Sequence, residues 1–586
     1  MIRNFMLSLL PPNSIRRQVV KKITHFLGYR PSSNTYYNSL YFQGREFIPT
    51  LDYDTKECSG GPLISIVVPA FNTPERYLMP LVYSVISQVY TNWELVFINA
   101  STDEASRQRI RDCSILHNKI KVIDVENAGI SKNTNIGIKN AKGDYIALVD
   151  HDDLLDEAAL YEVAKIITRL PDSSLIYSDE DKVSDDGSKY FDPHFKPDWS
   201  PVLMERVNYI NHFCVIRKSL IDKVGGLDSG MDGAQDYDLF LRLIEKDPNV
   251  IHIPKVLYHW RAATTSTAHN FKSKNNITLA GEKALSQHFK RKNIRAKAKA
   301  QVDRPGFYEA IYEPYERLSI IITPFCTNAL LGLYVSLLMS KSNLKKHKIE
   351  IILPKGVEVN DRFYSRADIK LISYDPKSSD ALINATKLAS NSTVVLINSI
   401  VLPLKRNWIK TITGYMRDPE IASVAPVVIR KNEKMIEDGG IVLRGGQYVT
   451  LLSGFTYGKH QTYFGAMDWP RNVVAQSGGI AVFRKSEWMD YIRAKKSVAI
   501  NYQTILRDFS EFKLRNGMQN VVNFDAPFVR AGIYEPLINS AGLPDFFNEN
   551  IIVCGQSIEL AASDAVKMNI LYNLNELELD NVIRSK

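Results

Sequence analysis

Cysteine is scarce: five in 586 residues (Cys58, Cys113, Cys214, Cys326 and Cys554), odd in number and without paired spacing. That argues against a disulfide framework or a cysteine-built zinc site and suits a reducing compartment. Long apolar runs are missing too. No stretch approaches the length needed to cross a bilayer, and the amino terminus has neither the apolar core nor the cleavage site of a signal peptide. A synthase that threads its own product through a membrane is therefore disfavoured, and a cytoplasmic protein is expected. The charge excess is mild, +9, and the basic residues are not interleaved with aromatics, so nucleic acid is not an expected partner. What remains, 45% hydrophobic and 23% charged, describes an ordinary globular protein. Its length calls for two main domains with extensions rather than one core.

The most informative stretch is 144–153, Asp-Tyr-Ile-Ala-Leu-Val-Asp-His-Asp-Asp. Tyr145 to Val149 reads as a strand buried on both faces. Asp150, Asp152 and Asp153 crowd its end, and crowded carboxylates need a cation or donor hydroxyls nearby. Hard oxygen ligands in this arrangement suit Mg²⁺ or Mn²⁺ carrying a diphosphate. The competing reading is a solvated acidic turn, with Asp153 or Asp156 capping a helix that starts near Glu157. Upstream, Leu63 to Asn72 is a strand ending in a Pro/Asn turn, followed by a helical pattern (Leu78, Leu81, Val82, Val85, Ile86). Further strands at Trp93–Ile98 and Ile120–Val125 lead into polar turns at 99–103 and 126–135. Strands alternating with helices imply a parallel sheet, whose ligands sit beyond the strands' carboxyl ends. Asn72, Asn99 and Asp150 to Asp153 all fall at such ends.

These residues resemble glycosyltransferase family 2, in the branch that builds O-antigen and other bacterial surface polysaccharides. The likeness rests on Pro69-Ala70-Phe71-Asn72, on Gly129-Ile130-x-x-Asn133-x-Asn135, and on Asp150-His151-Asp152-Asp153. It continues through Tyr177-Ser178-Asp179-Glu180-Asp181, the run from Phe191 to Trp199, and Gly233-Ala234-Gln235-Asp236-Tyr237-Asp238, and it ends at Leu257-Tyr258-His259-Trp260-Arg261. One departure stands out: Ile98 and Asn99 occupy the place of the family's acidic pair, one member of which accepts a hydrogen bond from a pyrimidine base. Asn99 can still accept through its amide oxygen, without charge.

The resemblance implies an α/β fold of the GT-A type (nucleotide-diphospho-sugar transferase-like, Rossmann-like). It implies a nucleotide-diphosphate sugar as donor, UDP- or dTDP-linked, and a polysaccharide or lipid-linked oligosaccharide as acceptor. Asp152 is the expected direct ligand of Mn²⁺ or Mg²⁺, with Asp150 sharing the metal or holding ribose hydroxyls and His259 as a further ligand. The nucleotide sugar is expected against Pro69, Phe71, Asn72, Asn99, Lys132, Asn135, Asp150, His151, Asp152 and Arg261. Asp179, Glu180, Asp181, His194, Trp199 and Gln235 are expected to line the sugar and acceptor side. The resemblance makes Asp236 the expected general base, in the first turn of a helix whose apolar stripe runs through Leu239, Leu243 and Ile244, where the helix dipole favours a carboxylate. Each has a plainer reading: an N-cap for Asp236, a hydrogen-bonded core imidazole for His259, a solvated lysine for Lys132, a packed loop for Trp199 and His194. For Asp179–Asp181 it is a charged hairpin turning at Asp185-Asp186-Gly187.

The pattern then starts again. Leu318–Phe325 echoes Leu63–Phe71, Ser392–Ile400 echoes the strand ending at Asp150, and Ile480–Ser486 echoes Phe213–Ser219, all offset by roughly 250 residues as in a duplicated domain. In the copy Asn398-Ser399-Ile400 stands where the first unit has Asp150-His151-Asp152, which gives a divalent cation no anionic oxygen; Asp508-Phe509-Ser510-Glu511 parallels Asp236-Tyr237-Asp238. The expected organisation is an extension (1–62), a catalytic unit (63–300) closing with an Ala/Lys-rich helical stretch at 281–300, a degenerate GT-A-like unit (301–545) and a helical tail (546–586). Within the extension, residues 14–28 make a basic amphipathic helix suited to an anionic membrane surface or to docking on the protein's own body. The expected activity is inverting transfer of a hexose or deoxyhexose to a growing cell-surface polysaccharide. The alternatives are a non-catalytic carbohydrate-binding scaffold of polysaccharide assembly and a sugar nucleotidyltransferase. The latter needs a Gly-rich phosphate loop after the first strand, which Pro69–Asn72 is not.

Overall fold

The computed structural model describes Cys58 and residues 60–530, apart from positions 195, 263–270, 302–303, 344–346, 361–368, 378–379, 431–434, 445–446, 453–456, 458–468, 478 and 495–503. The amphipathic segment 14–28 and the tail 546–586 lie outside the described residues.

The first sheet is built from β1 (Ile64–Ala70), β2 (Trp93–Asn99), β3 (Ile120–Asp124), β4 (Tyr145–Leu148), β5 (Leu154–Leu155), β6 (Leu175–Ser184), β7 (Tyr190–His194), β8 (Cys214–Arg217) and β9 (Val250–Ala262). Their order is β3-β2-β1-β4-β8-β6-β9-β5, with β7 on β6. β3, β2, β1 and β4 run parallel to one another, whereas β8 is antiparallel to both β4 and β6. β1 and β2 are apolar almost throughout because helices cover both faces of the sheet. One of these, Ile130–Asn140, lies so close that a Cβ at Gly137 would stand 2.4 Å from Val67 Cγ1.

A hairpin of β10 (Ala296–Ala300) and β11 (Tyr308–Tyr312) leads to a second sheet. It comprises β12 (Arg317–Ile322), β13 (Lys348–Pro354), β14 (Ile369–Tyr374), β15 (Thr393–Ile397), β16 (Val401–Pro403), β17 (Ile421–Arg430) and β18 (Ile436–Asp438). After the small pair β19 (Ile441–Arg444) and β20 (Gln447–Thr450), which forms its own sheet, come β21 (Arg471–Val473), β22 (Ile480–Arg484) and β23 (Gln519–Arg530). Its order is β14-β13-β12-β15-β22-β17-β23-β16. The two sheets therefore share one strand order, and the shared pairs run in the same sense: parallel on both sides of β12, antiparallel at β15–β22, parallel at β17–β23. The internal repeat read in the sequence is a repeat of topology.

Two local expectations change. Residues 281–300 are not helical throughout: a helix spans Phe271–Arg291, and Ala296–Ala300 is β10. Ala-Lys-Ala-Lys-Ala alternates with period two, the lysines exposed and the alanines turned inward, which is a strand pattern. Asp179–Asp181, whose plainer reading is a charged hairpin, are strand residues instead: they lie within β6, held between β9 and β7. The turn at Asp185-Asp186-Gly187 does form, with Gly187 at φ +75°.

The two halves share one core cluster, from Val67 and Tyr237 through Tyr308 and Tyr312 to Val427 and Phe528. Polar contacts cross the seam: Ser200 Oγ donates to Asn472 Oδ1 (2.9 Å), and the Arg206 guanidinium reaches Tyr415 Oη (3.0 Å) and Asp525 (2.6 Å).

Candidate active site

β4 ends at the middle of its sheet, where β1 runs parallel on one side and β8 antiparallel on the other. The chain leaves the sheet there and turns through Asp150–Asp153 into β5. Asp153 is fully buried and anchors this turn: one oxygen accepts from Tyr258 Oη (2.5 Å), the other from the Arg261 amide (2.7 Å). Burial, with Asp152 and Asp150 adding repulsion, holds its carboxyl well above the usual range. It thus ties the acidic turn to β9 and does not cap the next helix, which begins at Ala159. Asp150 points outward, its side chain 54% exposed and 3.9 Å from His212 Nε2. Its surroundings in the cleft and the neighbouring Asp152 raise its carboxyl, while His212 opposes the rise. Among the described residues the Asp152 carboxylate makes no hydrogen bond or ion pair.

Across the cleft Asp236 sits in the first turn of the helix Gln235–Lys246. Its Oδ2 accepts from the side-chain amides of Asn208 (3.2 Å) and Asn211, and its Oδ1 accepts from the Tyr237 amide. Asp238, two residues on, is buried and ion-paired to Arg242 at 2.7 Å. The helix therefore presents one carboxylate and keeps the other.

His212 joins the two sides. Its ring stacks on Tyr258 at 5.2 Å, and its Nδ1 lies 3.2 Å from Glu180, which also accepts from the His212 amide. Burial opposes its charge, but the Glu180 carboxylate, with Asp150 and Asp153, brings the imidazole up to about 9. Glu180 is itself buried; Lys196, His194 and His212 outweigh that burial and hold its carboxyl well below the usual range. Buried polar atoms without a hydrogen-bond partner among the described residues include His151 Nδ1 in the acidic turn, Arg261 Nη2 and Asn208 Oδ1. Unpaired polar atoms are what a polar ligand satisfies.

Residues 65–225 match the family described as Glycosyl transferase family 2. This segment is a family 2 glycosyltransferase domain. An uncharacterised protein of Sinorhizobium fredii is 31% identical over 73% of this chain and 49% of its own length. The O-antigen biosynthesis protein RfbC of Myxococcus xanthus is 29% identical over 72% of this chain and 34% of its own. The chain thus spans half or less of these curated relatives. Among solved structures, Staphylococcus aureus TarS 1–349 in complex with UDP-GlcNAc is 18% identical, with a TM-score of 0.31, over 39% of this chain and 72% of that one.

In the family 2 domain Pro69 lies near the carboxyl end of β1, which runs parallel to β4, with Phe71 and Asn72 just past that end; His151 is in the acidic turn and Gln235 opens the helix that carries Asp236. Phe71 is 44% exposed; Asn72 lies at φ +48° and bridges to the Thr102 amide (2.8 Å). Asn99 is buried, its amide nitrogen committed to Asp124 (2.7 Å) and the Arg107 carbonyl (3.0 Å). Asn135 spends both amide atoms on the Leu227 backbone, and Lys132 is exposed on the first turn of its helix. Arg261 is buried and braces the acidic turn, its Nε on the Asp152 carbonyl (2.6 Å) and its Nη1 on the carbonyls of Ser184 and Asp185.

His259 is turned toward Asp181 (2.6 Å), both buried, and Asp179 toward His252 (2.9 Å). His194 is buried beside Glu180, and burial lowers its imidazole to about 4. Trp199 is buried, stacks on Tyr209 and lines a cavity of about 1140 Å³ along the seam between the halves. Sequence reasoning passed over Asn208, Asn211 and His212. These form a polar cluster, Asn-Tyr-Ile-Asn-His, just ahead of β8, the only signal that pointed to them.

Among the described residues no three His, Cys, Asp or Glu side chains converge on a ready-made metal cage. The donor set nonetheless fits a hard cation that keeps its waters and is shared with a diphosphate, which asks the protein for only one or two carboxylates. Asp150 and Asp152 are two such groups, neither neutralised by Lys or Arg.

Proposed function

We propose that this chain is an inverting, metal-dependent glycosyltransferase that moves a sugar from a nucleotide-diphosphate sugar to a growing surface polysaccharide. The observation that carries the reading is the pair of carboxylates after β4, Asp150 exposed and Asp152 without a hydrogen-bond or ion-pair partner among the described residues, with Asp236 held by Asn208 and Asn211. Mn²⁺ or Mg²⁺ held by Asp152 and Asp150 would supply positive charge to the leaving diphosphate. Asp236 takes the proton of the acceptor hydroxyl as its oxygen bonds to the anomeric carbon and the bond to the diphosphate oxygen breaks, a single displacement that inverts the centre. Asn208 and Asn211 fix the carboxylate that receives the proton. Similarity to an O-antigen biosynthesis protein supports a surface polysaccharide as the product.

The second sheet is proposed to be non-catalytic. At the end of β15, the counterpart of β4, stand Asn398, Ser399 and Ile400, and Ser399 accepts from Arg530 at 3.1 Å. The test is transfer from a panel of UDP- and dTDP-sugars, together with thermal protection by those sugars with and without Mn²⁺. Asp152→Ala and Asp236→Asn are each expected to lower turnover by about 10²–10⁴-fold; Asn398→Ala is expected to leave it unchanged. Full turnover in Asp152→Ala would remove the first site from the chemistry.

A further inference from the structure

The helix Asn328–Ser340 of the second half buries Leu331, Tyr334, Val335 and Leu338 against its sheet, and on its other face exposes three leucines. Leu330, Leu333 and Leu337 are 52%, 63% and 48% exposed. Their spacing, i, i+3 and i+7, puts them in one stripe about 10 Å long. The fold does not require this stripe. The helix Glu75–Ile86 follows β1 as Asn328–Ser340 follows β12, and its exposed positions are Glu75, Arg76 and Tyr83. At that place the two repeats differ in what they show to the outside.

The stripe continues into a basic corner. Leu404, 52% exposed, follows β16 directly. The end of the helix is fastened to the next segment, Asn343 N donating to the Arg406 carbonyl (2.6 Å) and Trp408 Nε1 to Ser342 Oγ (2.8 Å). Lys341, Lys405, Arg406 and Lys410 surround the joint, all exposed, and none has an ion-pair partner among the described residues. A row of solvent-facing leucines beside four unneutralised cations has the chemistry of an interfacial anchor: the apolar side chains enter the headgroup–acyl boundary, and the cations meet lipid phosphates.

We propose that this face, Leu330, Leu333, Leu337 and Leu404 with Lys341, Lys405, Arg406 and Lys410, docks on an anionic phospholipid bilayer. Its occupant is the membrane surface; a second copy of the chain offers the leucines an apolar partner but repeats the same four positive charges. The docking site lies in the half without the outward carboxylates, so it does not rest on the catalytic reading. Docked in this way, the second half holds the family 2 domain at the surface where lipid-linked sugars are found.

The test is cosedimentation of the full chain with phosphatidylcholine vesicles, with or without about a third phosphatidylglycerol, near physiological salt. The wild type is expected to partition onto the anionic vesicles and only weakly onto neutral ones. Leu330→Ser/Leu333→Ser/Leu337→Ser and, separately, Lys405→Glu/Arg406→Glu should each lower that partition by about tenfold or more, with unchanged melting temperatures showing that the surface changes leave the fold intact. Three results would overturn the proposal: no binding of the wild type to anionic vesicles, partition of both variants within about twofold of wild type, or a wild-type dimer that the leucine variant converts to monomer.

Discussion

The fate of each acidic residue is decided by its partners. Asp153 and Asp238 lie close in sequence to Asp152 and Asp236, yet the first pair is buried and satisfied internally while the second is only half-buried. Crowding of carboxylates at a strand end is a local pattern, which is why Asp150 and Asp152 were legible in the sequence. The amides that hold Asp236 were not: Asn208 and Asn211 follow no periodicity, and only the placement of β8 brings them beneath the helix Gln235–Lys246. If they position the base, Asn211→Ala should lower kcat by about 10- to 100-fold, since a hydrogen bond to a charged group is worth roughly 1.5–3 kcal/mol, and leave KM for the donor unchanged. A change confined to KM would instead place Asn211 in donor binding. Steady-state kinetics at saturating acceptor separates the two.

At the scale of elements, apolar runs and polar turns were enough to find the strands of the first sheet and the carboxyl ends where the site collects. The errors came where pattern and context disagree. β6 carries Asp179, Glu180 and Asp181 through its buried middle, which reads as a turn until His252, Lys196 and His259 supply their partners. Residues 296–300 look helical by composition but alternate as a strand. Close packing adds a constraint invisible to propensity at Gly137. Alanine there should gain about 1 kcal/mol of helix propensity, but its Cβ would stand 2.4 Å from Val67 and 3.1 Å from Ile98. Overpacking of that kind costs about 1–3 kcal/mol, and because both contacts are made by sheet side chains that have nowhere to move, the loss should win. Gly137→Ala is expected to lower the melting temperature; a rise would mean that the helix Ile130–Asn140 shifts freely on β1 and β2.

For the whole molecule the telling feature is the seam, where the repeat was legible but its joinery was not. Glu205 and Arg206 follow a short helix of the first half and are buried against the second. Tyr312 donates to Glu205, while Arg206 is shared by Tyr415 and Asp525. Burial pushes the Glu205 carboxyl up to about 8 from 4.5, with Tyr312 opposing. The folded protein thus retains a proton that the unfolded chain releases. Stability therefore falls as pH rises from 4.5 to about 8 and is level beyond, because by then both states are ionised. Gln cannot ionise, yet its amide oxygen can still accept from Tyr312. Glu205→Gln should accordingly melt near the wild type at pH 5 and above it at pH 8.5, by up to a few kcal/mol. Thermal unfolding at the two values reads this directly, and a variant that loses stability at pH 8.5 would show that the ionised carboxylate holds the halves together through Arg206.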